Sequence, residues 1–182
     1  MKLAQYVTIV EQTAVFPSTV DNFGVCYAYL GLIDEMDEVN KATKAMKWKD
    51  GQDPSFRTIR AKNLAKECGD VLWYVTAMCR ELSIDPVEIL LTYDPILFEF
   101  DEGVIPGMIK KFYRDGKPID LDVMKQFLGK VVYQIRTHLE ARFGANTQEQ
   151  KEILYAKVLK MNYDKLIKRK KQNKIKGDGD DR

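Results

Sequence analysis

Two acidic patterns in this chain have residue types and spacing suited to chemistry. The first is Asp34-Glu35-Met36-Asp37-Glu38 and the second is Glu67-Cys68-Gly69-Asp70. Residues three apart share a helical face, so Glu35 pairs with Glu38 and Glu67 with Asp70. The interval from Glu38 to Glu67 is long enough for the chain to reverse and set one pair opposite the other. Leu30, Leu32, Ile33, Val39, Val71, Leu72 and Trp73 surround these acids. Carboxylates turned toward such a seam repel one another and lose hydration. A hard divalent cation relieves both penalties, and oxygen ligands suit Mg²⁺, with Mn²⁺ as a substitute. Mg²⁺ in turn favours a phosphate substrate, because it bridges carboxylate and phosphate oxygens. Against this stands an ordinary solvated acidic face, with Lys41 and Lys44 close enough for ion pairs.

The rest of the composition narrows the chemistry. There is one histidine, His138, so a three-histidine zinc site cannot be built and a nucleophilic triad would need that one residue. The three cysteines, Cys26, Cys68 and Cys79, show no CxxC spacing, which argues against a structural zinc or a disulfide framework. Carboxylates must then carry any catalysis. Cys68, between the two acids of its motif, is expected on the other face as a small core residue. His138 is expected to be structural and remote from the acidic motifs.

The elements that must position these acids are helical. Leu3, Tyr6, Val7 and Val10 recur at helical spacing in a segment that stops near Phe16-Pro17. A long helix is expected from Asp21 or Asn22, either of which can cap it, to Trp48, with Asp50-Gly51 as its stop. Its apolar positions include Val25, Tyr29, Leu32, Met36, Val39 and Met46. Gln52 to Ser55 reads as a turn. A second long helix over Phe56–Leu82 carries the stripe Leu64, Cys68, Val71, Leu72, Val75 and Met78. Asp85 should cap a short helix with Pro86 at its first position. Residues 92–120 hold three Pro and three Gly and are the least regular, with a short helix predicted at Ile105–Tyr113. Helical patterning resumes at Leu121–Phe143, breaks at Gly144, and returns from Thr147 to about Lys171. Thr147 and Gln150 make a capping box there. No strand alternation competes, so the expected fold is all-α, a helical bundle.

At 182 residues, 45% of them hydrophobic, the chain fits one domain with a core. A net charge of +2 argues against a dedicated nucleic-acid binder. The run Lys165–Lys176, with seven basic residues and no acid, is a local exception, and a solvated or phosphate-facing helix end explains it. No apolar run has the length of a membrane span, and Met1–Val10 lacks a signal-peptide pattern. A cytoplasmic protein without membrane or nucleic-acid partners is expected.

The run Tyr29-Leu-Gly-Leu-Ile-Asp-Glu-Met-Asp-Glu-Val39, followed by Glu67-Cys-Gly-Asp-Val-Leu-Trp-Tyr-Val75 and Arg80-Glu-Leu82, resembles the MazG-like nucleotide pyrophosphohydrolases of the all-α NTP pyrophosphatase superfamily. Thr13-Ala-Val-Phe-Pro17, Asn162-Tyr-Asp-Lys-Leu166, Arg169-Lys170 and Gly177–Arg182 resemble a phage and bacterial branch of it. The resemblance implies hydrolysis of a nucleoside or deoxynucleoside triphosphate to the monophosphate and pyrophosphate. It implies Glu35, Glu38, Glu67 and Asp70 as Mg²⁺ ligands, and Tyr74 and Asn162 beside the substrate. Asp34 fills the first acidic slot of the motif, where the family varies. Lys165 and Arg169 share a face with Asn162 and can reach phosphate. Glu35 and Glu38 are the catalytic candidates, with Glu38 assigned to orient or deprotonate the attacking water. Trp48 is a further candidate for stacking on a base, whereas Trp73 reads as core. The resemblance also implies a homodimer or homotetramer. It covers residues 1 to about 91 and 155–182, so residues 92–154 are an insertion that extends an interface, covers the nucleotide or binds something else. The rival readings are a non-catalytic regulatory or binding protein of the same fold, and a ppGpp hydrolase.

Overall fold

The computed structural model describes residues 1–16, 23–46, 54–92 and 103–175. Seven helices occur among them: α1 (Leu3–Thr13), α2 (Phe23–Ala45), α3 (Pro54–Glu81), α4 (Pro86–Leu90), α5 (Val104–Asp115), α6 (Leu121–Phe143) and α7 (Gln148–Lys171), with no strand. The all-α expectation holds. No helix is long and apolar enough to cross a membrane. The predicted cap at Asp21 or Asn22 and the stop at Asp50-Gly51 lie outside the described residues. So does Trp48, whose assignment to base contact has no structural counterpart here. The turn expected through Ser55 is corrected: α3 already starts at Pro54, a first-turn position that tolerates proline because its missing N–H has no helical partner anyway.

The predicted helix ends that rest on local chemistry recur in the structure. Asp85 accepts a hydrogen bond from the Val87 backbone N–H at the start of α4. At the start of α6 the structure adds a cap that the sequence reading did not name: Asp120 accepts from the Asp122 and Val123 amides. At α7 the Thr147 hydroxyl accepts from the Gln150 amide, and the Gln150 side chain accepts from the Thr147 amide. α6 closes at Gly144, whose φ of 69° is the left-handed conformation that glycine adopts at least cost.

Helix α3 is the centre of the bundle. Helices α1, α2, α4, α6 and α7 all pack on it, α2 most extensively. Its stripe Leu64, Cys68, Val71, Leu72, Val75 and Met78 is fully buried, all at 0% exposure. Truncating Leu72 to Ala would cost ~2–5 kcal/mol through lost transfer energy and the cavity left behind. Gly24 lies against Glu81 and Gly31 against Tyr74. Seven residues forward on α2 are therefore seven back on α3, and the two helices run antiparallel. At Gly31 the Tyr74 ring occupies the space a Cβ would need, so glycine is what lets the helices approach there.

The segment of α5 and α6 has a role that sequence left open. Helix α6 is built into the bundle against α3, α4 and α7, and Met124, Leu128, Val132 and Leu139 join the common core. The buried Arg136 donates from Nη2 to the Leu90 carbonyl at 3.0 Å, tying α6 to the end of α4. His138 meets α2 beyond its acidic motif. Its Nε2 lies 2.5 Å from the Thr43 hydroxyl on α2, and burial holds its pKa below the usual value, with Arg142 adding to the effect.

Candidate metal centre

The antiparallel register of α2 and α3 sets Glu35 level with Asp70. Carboxylate oxygens of Glu35, Glu67 and Asp70 lie within 4.8 Å of one another, all partly buried. The pKa of Glu35 is pushed up to about 8, first by burial, then by the charges of Asp70 and Glu67, with Lys165 opposing the rise. A carboxyl so placed gives up its proton readily only to a compensating cation. Three convergent oxygen donors suit a hard divalent ion rather than a soft one, so the residues present fit Mg²⁺ or Mn²⁺.

Glu38 stands apart from this group. The register sets it level with Glu67, one turn beyond Glu35, yet its carboxylate accepts from Lys41 Nζ at 2.7 Å. Asp37 shares that lysine at 2.9 Å. Of the four acids expected as ligands, the structure brings three together and leaves Glu38 half-exposed on Lys41.

Helix α7 supplies the other side of the centre. The Asn162 side-chain amide donates to Asp70 Oδ1 at 2.7 Å, and the Asn162 carbonyl accepts from the Tyr6 hydroxyl at 3.1 Å. Asn162 is 3% exposed, and its side chain leaves little room for a Cβ at Gly69 on the facing turn of α3. Lys165 was expected to reach phosphate. Its ammonium pairs with both carboxylate oxygens of Asp70. Arg169, one turn further, is buried. With Lys165 it lines a groove of about 490 Å³ between α3 and α7.

Tyr74 sits one turn past Asp70, edge-on to Trp73 at 4.7 Å and tilted toward Tyr27 at 6.5 Å. Burial raises its pKa, and the charge of nearby Glu35 adds to the rise. Trp73 donates its indole N–H to the Thr13 hydroxyl at 3.1 Å and has Phe16 at its edge, as a core residue would. Cys68 is fully buried, and burial pushes its thiol up to about 12, which leaves it inert.

Sequence reading missed several neighbours of the centre. Tyr27 stacks on Phe16 at 4.7 Å and extends the aromatic surface beside Tyr74. Tyr6, whose helical spacing signalled only a buried position, holds Asn162 through its hydroxyl. Lys62 and Lys66 line the groove, and their four-residue steps toward Asp70 were the signal available for them.

A bundle whose central antiparallel pair gathers carboxylates, backed by an amide and an ammonium from a third helix, is the class of protein defined here: an all-α protein with a candidate divalent-cation centre. The chain is 33% identical over 83 residues to the Gene 37 protein of Mycobacterium phage L5, a match covering 43% of this chain and 70% of the phage protein. The chain belongs to the same family as that phage protein. No protein-family model and no solved structure matches it.

Proposed function

We propose that this protein is a Mg²⁺-dependent nucleoside triphosphate pyrophosphohydrolase of the MazG-like type, acting on a nucleoside or deoxynucleoside triphosphate. The observation that carries the reading is the convergence of Glu35, Glu67 and Asp70 within 4.8 Å from two antiparallel helices. A solvated acidic face would spread such groups into water, whereas here burial and mutual repulsion push Glu35 up to about 8.

Glu35, Glu67 and Asp70 would hold the cation. When bound, it would neutralise phosphate charge and make a water easier to deprotonate. Asn162 fixes the Asp70 carboxylate through its 2.7 Å hydrogen bond and is itself fixed by Tyr6. Lys165, released from Asp70, would present its ammonium to phosphate oxygens. Glu38, one turn beyond Glu35, would leave Lys41 and take a proton from the attacking water. The water oxygen forms a bond to the α-phosphorus. The bond from that phosphorus to the bridging oxygen breaks, and pyrophosphate leaves with the electron pair. Tyr74 and Tyr27 offer the aromatic surface for the base. A stripe of exposed apolar residues on α2, Phe23, Tyr27 and Leu30, spaced four and three apart, supports the homo-oligomer reading.

The test is pyrophosphate release from a panel of NTPs, dNTPs and ppGpp with Mg²⁺. Turnover of a triphosphate that EDTA abolishes is expected. Absence of turnover across the panel, by folded protein that binds Mg²⁺, would overturn the catalytic reading.

A further inference from the structure

We propose that a cavity lined by the first turn of α1, the end of α4, and α6 and α7 is a binding site for a small monocarboxylate with an apolar body. Its volume is about 470 Å³, in the range of small-molecule sites. Leu3 on α1, Leu91 just past α4, and Ile153 and Leu159 on α7 give it aliphatic walls. Arg136 on α6 and Tyr155 on α7 complete its lining with a cation and a ring. The cavity shares no residue with Glu35, Glu67 and Asp70.

The antiparallel pairing of α6 with α7 fixes the guanidinium in place. Near the turn between them, Lys151 pairs with Glu140 at 2.8 Å. Four residues back on α6 and four on along α7, the Arg136 guanidinium carbon lies 3.5 Å from the centre of the Tyr155 ring. Arg136 Nη2 and the Tyr155 hydroxyl both donate to the Leu90 carbonyl, at 3.0 Å and 3.1 Å. Arg136 is 5% exposed, whereas Leu91 and Ile153 are open to solvent. The guanidinium therefore lies deep in the cavity, and aliphatic groups form its mouth. A planar donor held by such contacts loses little freedom when a ligand arrives.

Charge and walls together set the ligand class. Arg136, Lys157 and Lys160 are the cations of the lining, and Glu152 is the one acid among its described residues. Lys160 is held by both oxygens of Asp164 at 2.6 Å. These five groups leave one net positive charge, which matches a single carboxylate and falls short of an oligophosphate. A carboxylate accepts charge-assisted hydrogen bonds from a guanidinium, and a deep site screens that attraction less than open water does. The aliphatic walls offer no hydrogen bonds to a sugar or a phosphate. They gain free energy when a hydrocarbon body covers them and water leaves.

The inference stands apart from the pyrophosphohydrolase reading, because it uses neither the carboxylate centre nor a metal. The experiment is calorimetric titration of the full chain, in EDTA, with octanoate, with octanol and with acetate. Octanol keeps the tail without the charge, and acetate keeps the charge without the tail. Wild type is compared with Ile153→Glu and with Leu91→Glu, two exposed wall positions on different elements, and circular dichroism checks that each variant is folded. Saturable one-to-one binding of octanoate is expected, with octanol and acetate each weaker by at least about tenfold. Each variant should weaken octanoate by at least about tenfold, because it sets a like charge beside the carboxylate. The proposal is overturned if octanoate does not bind saturably or if the folded variants bind it like wild type. It is also overturned if octanol or acetate binds as tightly as octanoate, or if tripolyphosphate displaces octanoate at lower concentration.

Discussion

The two faces of α2 carry the same residue types within one turn of each other, yet they differ in chemistry. On the inner face Glu35 meets Glu67 and Asp70, loses water and has its pKa pushed up to about 8. Toward solvent, the exposed Asp37 and the half-exposed Glu38 share Lys41, whose hydrogen bonds to Glu38 and then to Asp37 raise its own pKa. An acidic residue becomes a candidate ligand when a second helix takes away its water and adds like charge. A neighbouring acid on its own helix does not suffice.

The largest expected effect lies on the inner face. Glu35→Gln or Asp70→Asn should lower pyrophosphate release on the order of 10³-fold or more, and the rise in melting temperature with Mg²⁺ should vanish. Normal Mg²⁺-dependent stabilisation in both variants would break the contrast between the faces. Next is the boundary residue. Glu38→Gln should reduce kcat by about 10²-fold, as for loss of a positioned base, with Mg²⁺-dependent stabilisation kept. Loss of that stabilisation would move Glu38 into the ligand set.

A smaller effect concerns pH. Glu35 has its folded pKa raised from 4.5 to about 8, so over that interval the folded protein binds more protons than the unfolded chain. Stability in EDTA should then be highest toward pH 4.5 and fall as pH rises through about 8. Mg²⁺ should reduce the fall, and Glu35→Gln should abolish this contribution. Urea unfolding across a pH series, with and without Mg²⁺, reads it directly. The smallest effect is on the outer face: Lys41→Ala should leave the melting temperature unchanged, because exposed ion pairs contribute little. A clear destabilisation there would show that the outer acids depend on their lysine.

The sequence by itself determined what depends on a few neighbouring residues. Asp85 before Pro86, and Thr147 with Gln150, fix helix starts because an oxygen two or three residues away satisfies an unpaired amide. Gly144 ends α6 because no side chain hinders its left-handed backbone. The stripe Leu64 to Met78 had to be buried because apolar residues at helical spacing share one face. The acid motifs were equally plain as spacing.

The tertiary structure alone decided which acids converge and what meets them. Spacing placed Glu35 and Glu38 together, and the register keeps both level with the α3 acids; the pairing of Glu38 with Lys41 is what separates them. Nothing near Asp70 in sequence announces Asn162 and Lys165, which arrive on α7 from more than 90 residues away. Helix α6 entered the core for the same reason that Lys62 and Lys168 came to share a groove. Burial and charge act through distance in space, and that distance is set only when helices far apart in sequence pack together.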